Sequence, residues 1–493
     1  DGVSPEKILC ITFTKAAAAN MAQRVFETLG RWVTLDDAAL DVAILATGAT
    51  KPSVKTRERA RELFACALET PGGLKVQTIH ALCTRLLQQF PFEANVPARF
   101  AVLDDRDQSE MMERANLAVL LEASNAPDSA VGRALATAMA YAADVTFKEA
   151  VREACLSREH FLAWADQAGG VEAARAQLAL TLGVTADDKL PDIERDIVDG
   201  PHLPRARWKH AAATFMSGSK TDQDQANRLL AALDLDGGAQ LEIYFSVFLT
   251  QSLEPRKALL TKKLGDAQPG LAQTLSDEAS RLASLLEKRR AIIQRDRTEA
   301  LLTIASTVAS HYRAEKQQRG LLDYDDLIDK TLAMLANVSS GWVHYKLDRG
   351  VDHVLIDEAQ DTSPRQWDIV DRIIAEFTAG EGARDGVKRT IFAVGDEKQS
   401  IFSFQGAAPR EFDHRRRELE RRFTHAGLRF APVSFTYSFR SGATVLAAVS
   451  ETFKSQDIYK SITTDLDGMP PHLALGDAAP SLIDLWELEK PDD

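Results

Sequence analysis

Val354-Leu355-Ile356-Asp357-Glu358-Ala359-Gln360-Asp361-Thr362-Ser363-Pro364 reads as a strand, an acidic pair and the start of a helix. Three aliphatic residues ended by charge predict a short strand buried on both faces of a parallel sheet. In open α/β sheets ligands sit at the carboxyl ends of strands, which is where Asp357 and Glu358 fall. Ser363 is placed as an N-cap, Pro364 at the first helical position, and Gln366 completes a capping box. Trp367, Val370, Ile374 and Phe377 then recur at helical spacing and give the helix one apolar face.

An acidic pair at such a strand end suits nucleotide hydrolysis. An Asp there holds Mg²⁺ on the phosphates through water, and an adjacent Glu orients and deprotonates the attacking water. Asp-Glu is also a common dipeptide, and alone it would favour a merely solvated strand end.

The chain has 493 residues, which suggests about three domains. With 45% hydrophobic and 27% charged residues it has the makings of ordinary globular cores. Its net charge of −13 means that any nucleic-acid contact must be confined to a local positive groove with steep salt dependence. Cys10, Cys66, Cys83 and Cys155 are scattered without a CxxC, so neither a zinc site nor a disulfide framework is indicated. No apolar run approaches the ~18 residues a membrane span needs. No secretory leader is visible, and the expected compartment is the cytoplasm.

Three more stretches repeat the pattern of strand followed by chemistry. Ile8-Leu9-Cys10-Ile11-Thr12-Phe13-Thr14 is a short strand feeding a helix from Lys15 to Leu29, with Met21, Val25 and Leu29 on one face. Thr12 and Thr14 fall where a helix N-terminus offers N–H groups to a phosphate. Phe13 is either packing or a ring that stacks on a base. Lys75 to His80 reads as a third strand, leading into a helix from Ala81 to Phe90 that Pro91 stops. His80 at its end is a phosphate contact, a general base or a structural hydrogen bonder, and lone histidines are most often the last. Ile391-Phe392-Ala393-Val394-Gly395-Asp396-Glu397-Lys398-Gln399 reads as another central strand, with Gly395 permitting close backbone approach. Asp396 and Gln399 point polar groups to the same edge, and Gln399 can reach both a γ-phosphate oxygen and the attacking water. Phe402 and Phe404 alternate beyond it; one presents a stacking face, or both are a Phe-rich strand edge.

From Phe100 to about Gly320 strand signals fade. Amphipathic stretches such as Gln108 to Ala123 and Asp277 to Ala309 are separated by polar linkers, Gln268-Pro269-Gly270 among them. Lys288-Arg289-Arg290 and Arg295-Asp296-Arg297 read as a solvated helical face, with a DNA-facing stripe as the alternative. Val433 to Ser441 alternates like a strand and precedes a helix from Ala443 to Phe453.

Together these stretches resemble the UvrD/Rep-like superfamily 1 helicases. Thr12-Phe13-Thr14 resembles motif Ia and Thr78-Ile79-His80 motif Ib. Asp357 to Asp361 resembles the Walker B motif, Val394 to Gly406 motif III, and Ser438-Phe439-Arg440-Ser441 motif IV. The finer wording is nearest the AddA group of helicase–nuclease proteins in its alphaproteobacterial form. Where many relatives have Trp-Arg, this chain has Phe404-Gln405, which preserves stacking but loses a cationic contact.

The resemblance implies an α/β fold: a RecA-like P-loop NTPase core with a parallel sheet flanked by helices, a large all-helical inserted domain, and the start of a second RecA-like domain. It divides the chain into 1–95 and 321–427 as the first RecA-like domain, 96–320 as the insertion, and 428–493 as the second domain's start. It implies ATP and Mg²⁺ as cofactors, with Asp357 holding the metal, Glu358 activating water, Gln399 sensing the γ-phosphate and Arg440 stabilising its charge. Phe439 would stack on the adenine and Asp396 would lie with the nucleotide. Thr12, Phe13, Thr14, Thr78, His80, Phe402 and Phe404 would contact single-stranded DNA. The implied activity is 3′-to-5′ DNA unwinding in double-strand break repair, on single strands and DNA ends. No membrane is involved, and the implied protein partner is AddB-like.

No GxxxxGK[ST] occurs in the sequence, so the chain is expected to be an internal piece of a longer protein, inactive by itself. The alternative is a helicase-like module that binds DNA or a partner without turning over ATP. A metal-dependent hydrolase fits less well, because no His or Asp cluster completes a metal site.

Overall fold

The computed structural model describes every residue except 1, 51, 142–143, 157–160, 162–163, 166, 338–342, 344, 347–349, 379–386, 401–407, 461–471 and 487–493. Its strands are β1 (Ile8–Thr12), β2 (Lys75–Thr78), β3 (Ala101–Val102), β4 (Leu321–Leu322), β5 (His353–Ile356), β6 (Thr390–Ala393), β7 (Tyr437–Ser438) and β8 (Leu473–Ala474). Four of them form a parallel sheet in the order β2-β1-β5-β6. The chain divides into two compact units, one of Asp1–Leu103 and Gly320–Asp493, the other of Asp104–Arg319.

In the first unit the sheet packs on a core that includes Leu9, Ile11, Leu87, Val354, Ile356, Trp367 and Ile374. The helix Pro364–Ile374 begins as its residues dictate. Ser363 Oγ accepts from the Gln366 N–H, Gln366 reaches back to the Ser363 N–H, and Pro364 stands in the first turn. Trp367, Val370, Ile374 and Phe377 are all buried.

The sheet is more open than two-faced burial requires. Val354 and Ile356 are buried, but the row of Cys10, Leu355 and Phe392 across the other face becomes more exposed towards β6, where Phe392 is 55% exposed. β6 is an edge strand and not a central one, because among the described residues nothing pairs with its outer side.

Three helix boundaries differ from expectation for local reasons. The Lys15 helix runs on to Thr34, and Val25 is 37% exposed because Phe26, not Val25, meets Phe64 edge-on at 6.4 Å. β2 ends at Thr78, whose hydroxyl caps the helix Ile79–Gln89, so His80 belongs to the first helical turn and not to the strand. Between Val433 and Ser441 only Tyr437–Ser438 forms a ladder, with Leu473–Ala474.

At the chain positions that bound the second unit, β3 and β4 pair in parallel, and Gly320 turns into β4 with φ +64°. The second unit is all helix apart from an isolated bridge between Leu249 and Pro255. Its spine is the helix Pro269–Arg319, 51 residues long, or roughly 75 Å at the α-helical rise. Pro269 and Gly270 open this helix and do not separate it from its neighbour, since proline is tolerated in a first turn. Trp208 stacks on Tyr244 at 4.2 Å, and the Tyr244 hydroxyl donates to the buried Glu278 carboxylate at 2.7 Å. Arg281 completes that site with two bonds to Glu278.

The basic stretch of this helix is committed inside its own unit. Lys288 pairs with Asp188, Arg289 with Glu194 and Arg290 with Glu287. Arg295, itself buried, donates to the Thr185 and Asp188 carbonyls and to Asp296. Arg297 lies over the Tyr141 ring at 5.2 Å. These cations brace the helix against its neighbours and are neither a bare solvated face nor a free stripe.

Candidate functional site

The carboxyl edge of the sheet gathers most of the residues that the sequence singled out. Thr78 stands beside Thr12 in the β2–β1 register. The Asp357 N–H donates to the Ile11 carbonyl at 2.9 Å, which sets the acidic pair next to the end of β1. From the other side, the Val394 N–H bonds the Ile356 carbonyl and the Ala359 N–H bonds the Val394 carbonyl, both at 2.9 Å. Thr12, Asp357, Glu358 and the turn after β6 therefore share one edge.

Each residue there has a local cause. Thr12, fully buried, donates to the Thr14 carbonyl at 3.0 Å, while Thr14 caps the Lys15–Thr34 helix through the Ala17 N–H. The first turn of that helix, with exposed Lys15, faces the edge with N–H groups that the helix itself does not use. Phe13 between them is half-buried. His80 is also half-buried, with its ring 5.0 Å from that of Tyr324. Burial first, and then the Lys15 charge, holds its imidazole below the ordinary histidine value.

The acidic pair is shaped by the backbone. Glu358 takes a left-handed conformation, φ +53° and ψ 46°, where the chain leaves β5 for the tight turn Ala359–Asp361. This costs a non-glycine residue about 1–2 kcal/mol, and it turns the Glu358 side chain outward into solvent. The Asp357 carboxyl is half-buried; burial, then the neighbouring Glu358 charge, raises its pKa. A cation bound at that edge would relieve both effects.

Beyond β6, Asp396 is the hub of a turn. Its carboxylate takes Lys398 Nζ at 2.8 Å and Gln399 Nε2 at 3.1 Å. Burial opposes its ionisation, but these bonds outweigh burial and lower its pKa. Gln399 is exposed and so available to a ligand at the cost of that one bond.

Two residues that were not singled out prove central. The Gln360 side chain, 1% exposed, donates from Nε2 to Glu358 Oε2 at 2.7 Å and accepts the Asp396 N–H on Oε1 at 3.1 Å. Asp361, also buried, accepts from Ser400 Oγ at 2.8 Å. The available signal was the polar pair directly after the Asp-Glu, in a turn too short to solvate it.

Phe439 and Arg440 are not joined to this edge. Phe439 is 83% exposed, Arg440 is exposed, and among the described residues the Arg440 guanidinium makes no ion pair. Phe402 and Phe404 lie outside the described residues. Among the described residues no group of three His, Cys, Asp or Glu side chains could hold a metal ion, and no helix is long and apolar enough to cross a membrane.

Comparison with known proteins agrees with this geometry. The UvrD/REP helicase N-terminal domain matches residues 1–420. The chain is similar to the ATP-dependent helicase/nuclease protein AddA of Moorella thermoacetica, 25% identical over 83% of this chain and 29% of the relative. The protein of the same name from Latilactobacillus sakei is 24% identical over 85% of this chain and 46% of the relative. The ATP-dependent DNA helicase UvrD1 of Mycobacterium tuberculosis is 29% identical over 39% of this chain and 21% of the relative. The chain thus spans less than half the length of these relatives. A parallel sheet with an acidic pair at its carboxyl edge, in a chain matched by this domain over 420 residues, belongs to the UvrD/REP helicase family.

Proposed function

We propose that this chain is the motor portion of an ATP-dependent DNA helicase of AddA type, which moves 3′-to-5′ along single-stranded DNA in double-strand break repair. The observation that carries this reading is the placement of Asp357 and Glu358 at the carboxyl edge, flanked by Thr12 on one side and the Asp396–Gln399 turn on the other. In this reading 1–95 and 321–427 form the first RecA-like domain, 96–320 the helical insertion and 428–493 the start of the second. It works in the cytoplasm on single strands and DNA ends with an AddB-like partner, as the names of its relatives suggest.

The residues present suit Mg²⁺ bound with a nucleotide. Mg²⁺ is commonly held by one or two carboxylates, with phosphate oxygens and waters completing its shell. Asp357, an oxygen donor whose ionisation burial opposes, fits that habit without a larger cluster. When bound, the metal neutralises charge on the phosphates. Asp357 would hold it, and Glu358, turned outward, would orient and deprotonate water. Gln399 would exchange its bond to Asp396 for the γ-phosphate. Phe439 would stack on the adenine, and Arg440 would stabilise phosphate charge once domain closure brought it there. Thr12, Thr14, Thr78 and His80 offer polar contacts to a DNA backbone, while Phe13 and, beyond the described residues, Phe402 and Phe404 offer stacking faces.

The test is DNA-stimulated ATP hydrolysis by the full-length protein, wild type against Glu358→Gln. Loss of turnover with ATP binding retained is the expected result. A wild type that binds single strands but never hydrolyses ATP would replace this reading with that of a binding module.

A further inference from the structure

We propose that Gln360 is a positioning residue, the middle link of a hydrogen-bonded relay that ties Glu358 to Gln399. The proposal rests on the ATP-hydrolysis reading for its consequence, though its geometry does not. The relay has three bonds. Gln399 Nε2 donates to Asp396 Oδ2 at 3.1 Å, the Asp396 N–H donates to Gln360 Oε1 at 3.1 Å, and Gln360 Nε2 donates to Glu358 Oε2 at 2.7 Å. The orientation of the amide is settled by its partners. A backbone N–H can only donate, so Oε1 must face Asp396, and Nε2 then meets a carboxylate that can only accept.

The surroundings are built for this amide. A Cβ at Gly395 would lie 2.5 Å from Gln360 Oε1 and 3.0 Å from the Gln360 nitrogen, so only glycine lets the end of β6 close on it. Asp361 pins the far side of the same turn through Ser400. A buried amide with both ends engaged has no spare rotamer, so it moves with its partners. When Gln399 leaves Asp396 for a phosphate, the change at Asp396 reaches the Glu358 carboxylate through Gln360. Nucleotide sensing and water activation are thereby one event.

Two variants separate the parts in the full-length protein. Gln360→Met keeps the volume and removes both bonds. Gln360→Glu keeps the acceptor for Asp396 but sets a carboxylate against Glu358. Amide hydrogen exchange at Asp396 should speed up by about tenfold in Gln360→Met and stay near wild type in Gln360→Glu. DNA-stimulated kcat should fall by about tenfold or more in both, with the affinity for a non-hydrolysable ATP analogue changed by less than about threefold. Gln360→Met combined with Gln399→Ala should be no worse than the poorer single variant, as members of one relay are non-additive. Unchanged Asp396 exchange in Gln360→Met, or independent multiplying effects of the two substitutions, would overturn the proposal. A wild type without ATP turnover would instead sink the hydrolysis reading, and the Asp396 exchange would still decide the link.

Discussion

The His80 and Tyr324 rings lie 5.0 Å apart at 58°, which joins the helix after β2 to the helix that opens just after β4. The contact half-buries the imidazole, and with the Lys15 charge it lowers its pKa. The folded protein therefore binds fewer protons at His80 than the unfolded chain does below the ordinary value of 6.5. Stability is unaffected by this group above that value and declines as pH falls through it, until the folded pKa is reached. His80→Gln should flatten the dependence of Tm on pH between about 7 and 5 relative to wild type. An identical slope in the variant would assign the effect to other groups.

Glu358 sits at φ +53°, a conformation that glycine adopts without cost. Glu358→Gly should raise Tm, since about 1 kcal/mol of backbone strain is relieved and the charge that raises the Asp357 pKa is removed. The same variant should abolish ATP turnover. A fall in Tm would mean that the bond from Gln360 outweighs the strain.

Arg415 holds four carboxylates together, Glu411, Asp368, Asp371 and Glu418, at distances of 2.6, 2.6, 2.5 and 3.4 Å. Arg422 adds a second cation to Asp371 at 3.2 Å. Burial still leaves the Asp371 pKa raised, so Arg415 is what makes this cluster tolerable. Arg415→Ala should cost about 3 kcal/mol in denaturant unfolding at neutral pH. The loss should shrink on acidification, as the stranded carboxylates take up protons. A loss independent of pH would point to packing alone.

Lys288 holds the Asp188 carboxyl down to about 2, and Arg289 is bonded to Glu194 at 2.8 Å. Because both cations are spent on their own unit, Lys288→Gln and Arg289→Gln should change single-strand affinity by less than about twofold. Stability should fall by at most about 1 kcal/mol for each. A marked drop in affinity, with a shallower salt dependence, would restore the DNA-facing stripe.

The parts of this protein legible in its residues are those governed by short-range physics. Strand, acidic pair and capped helix were all readable around Asp357, because N-caps, proline at a first turn and apolar spacing act within a few residues. The order of strand ends along the chain was enough to suggest a common edge. Gln360 was not readable in the same way. Its partners are Glu358, two residues away, and Asp396, 36 residues on, and nothing in a Gln between Ala and Asp announces the second.

The amino-acid sequence by itself determined the helices, the strands and the chemical types gathered after them, since these follow from local propensity and periodicity. Tertiary structure alone decided which of those groups touch. It placed β6 at an edge, left Val25 exposed, committed Lys288 and Arg289 to ion pairs, and ran a relay from Gln399 to Glu358. The physical reason is that burial and hydrogen-bond partnership depend on neighbours brought from distant segments. They exist only once the sheet register has set those segments side by side.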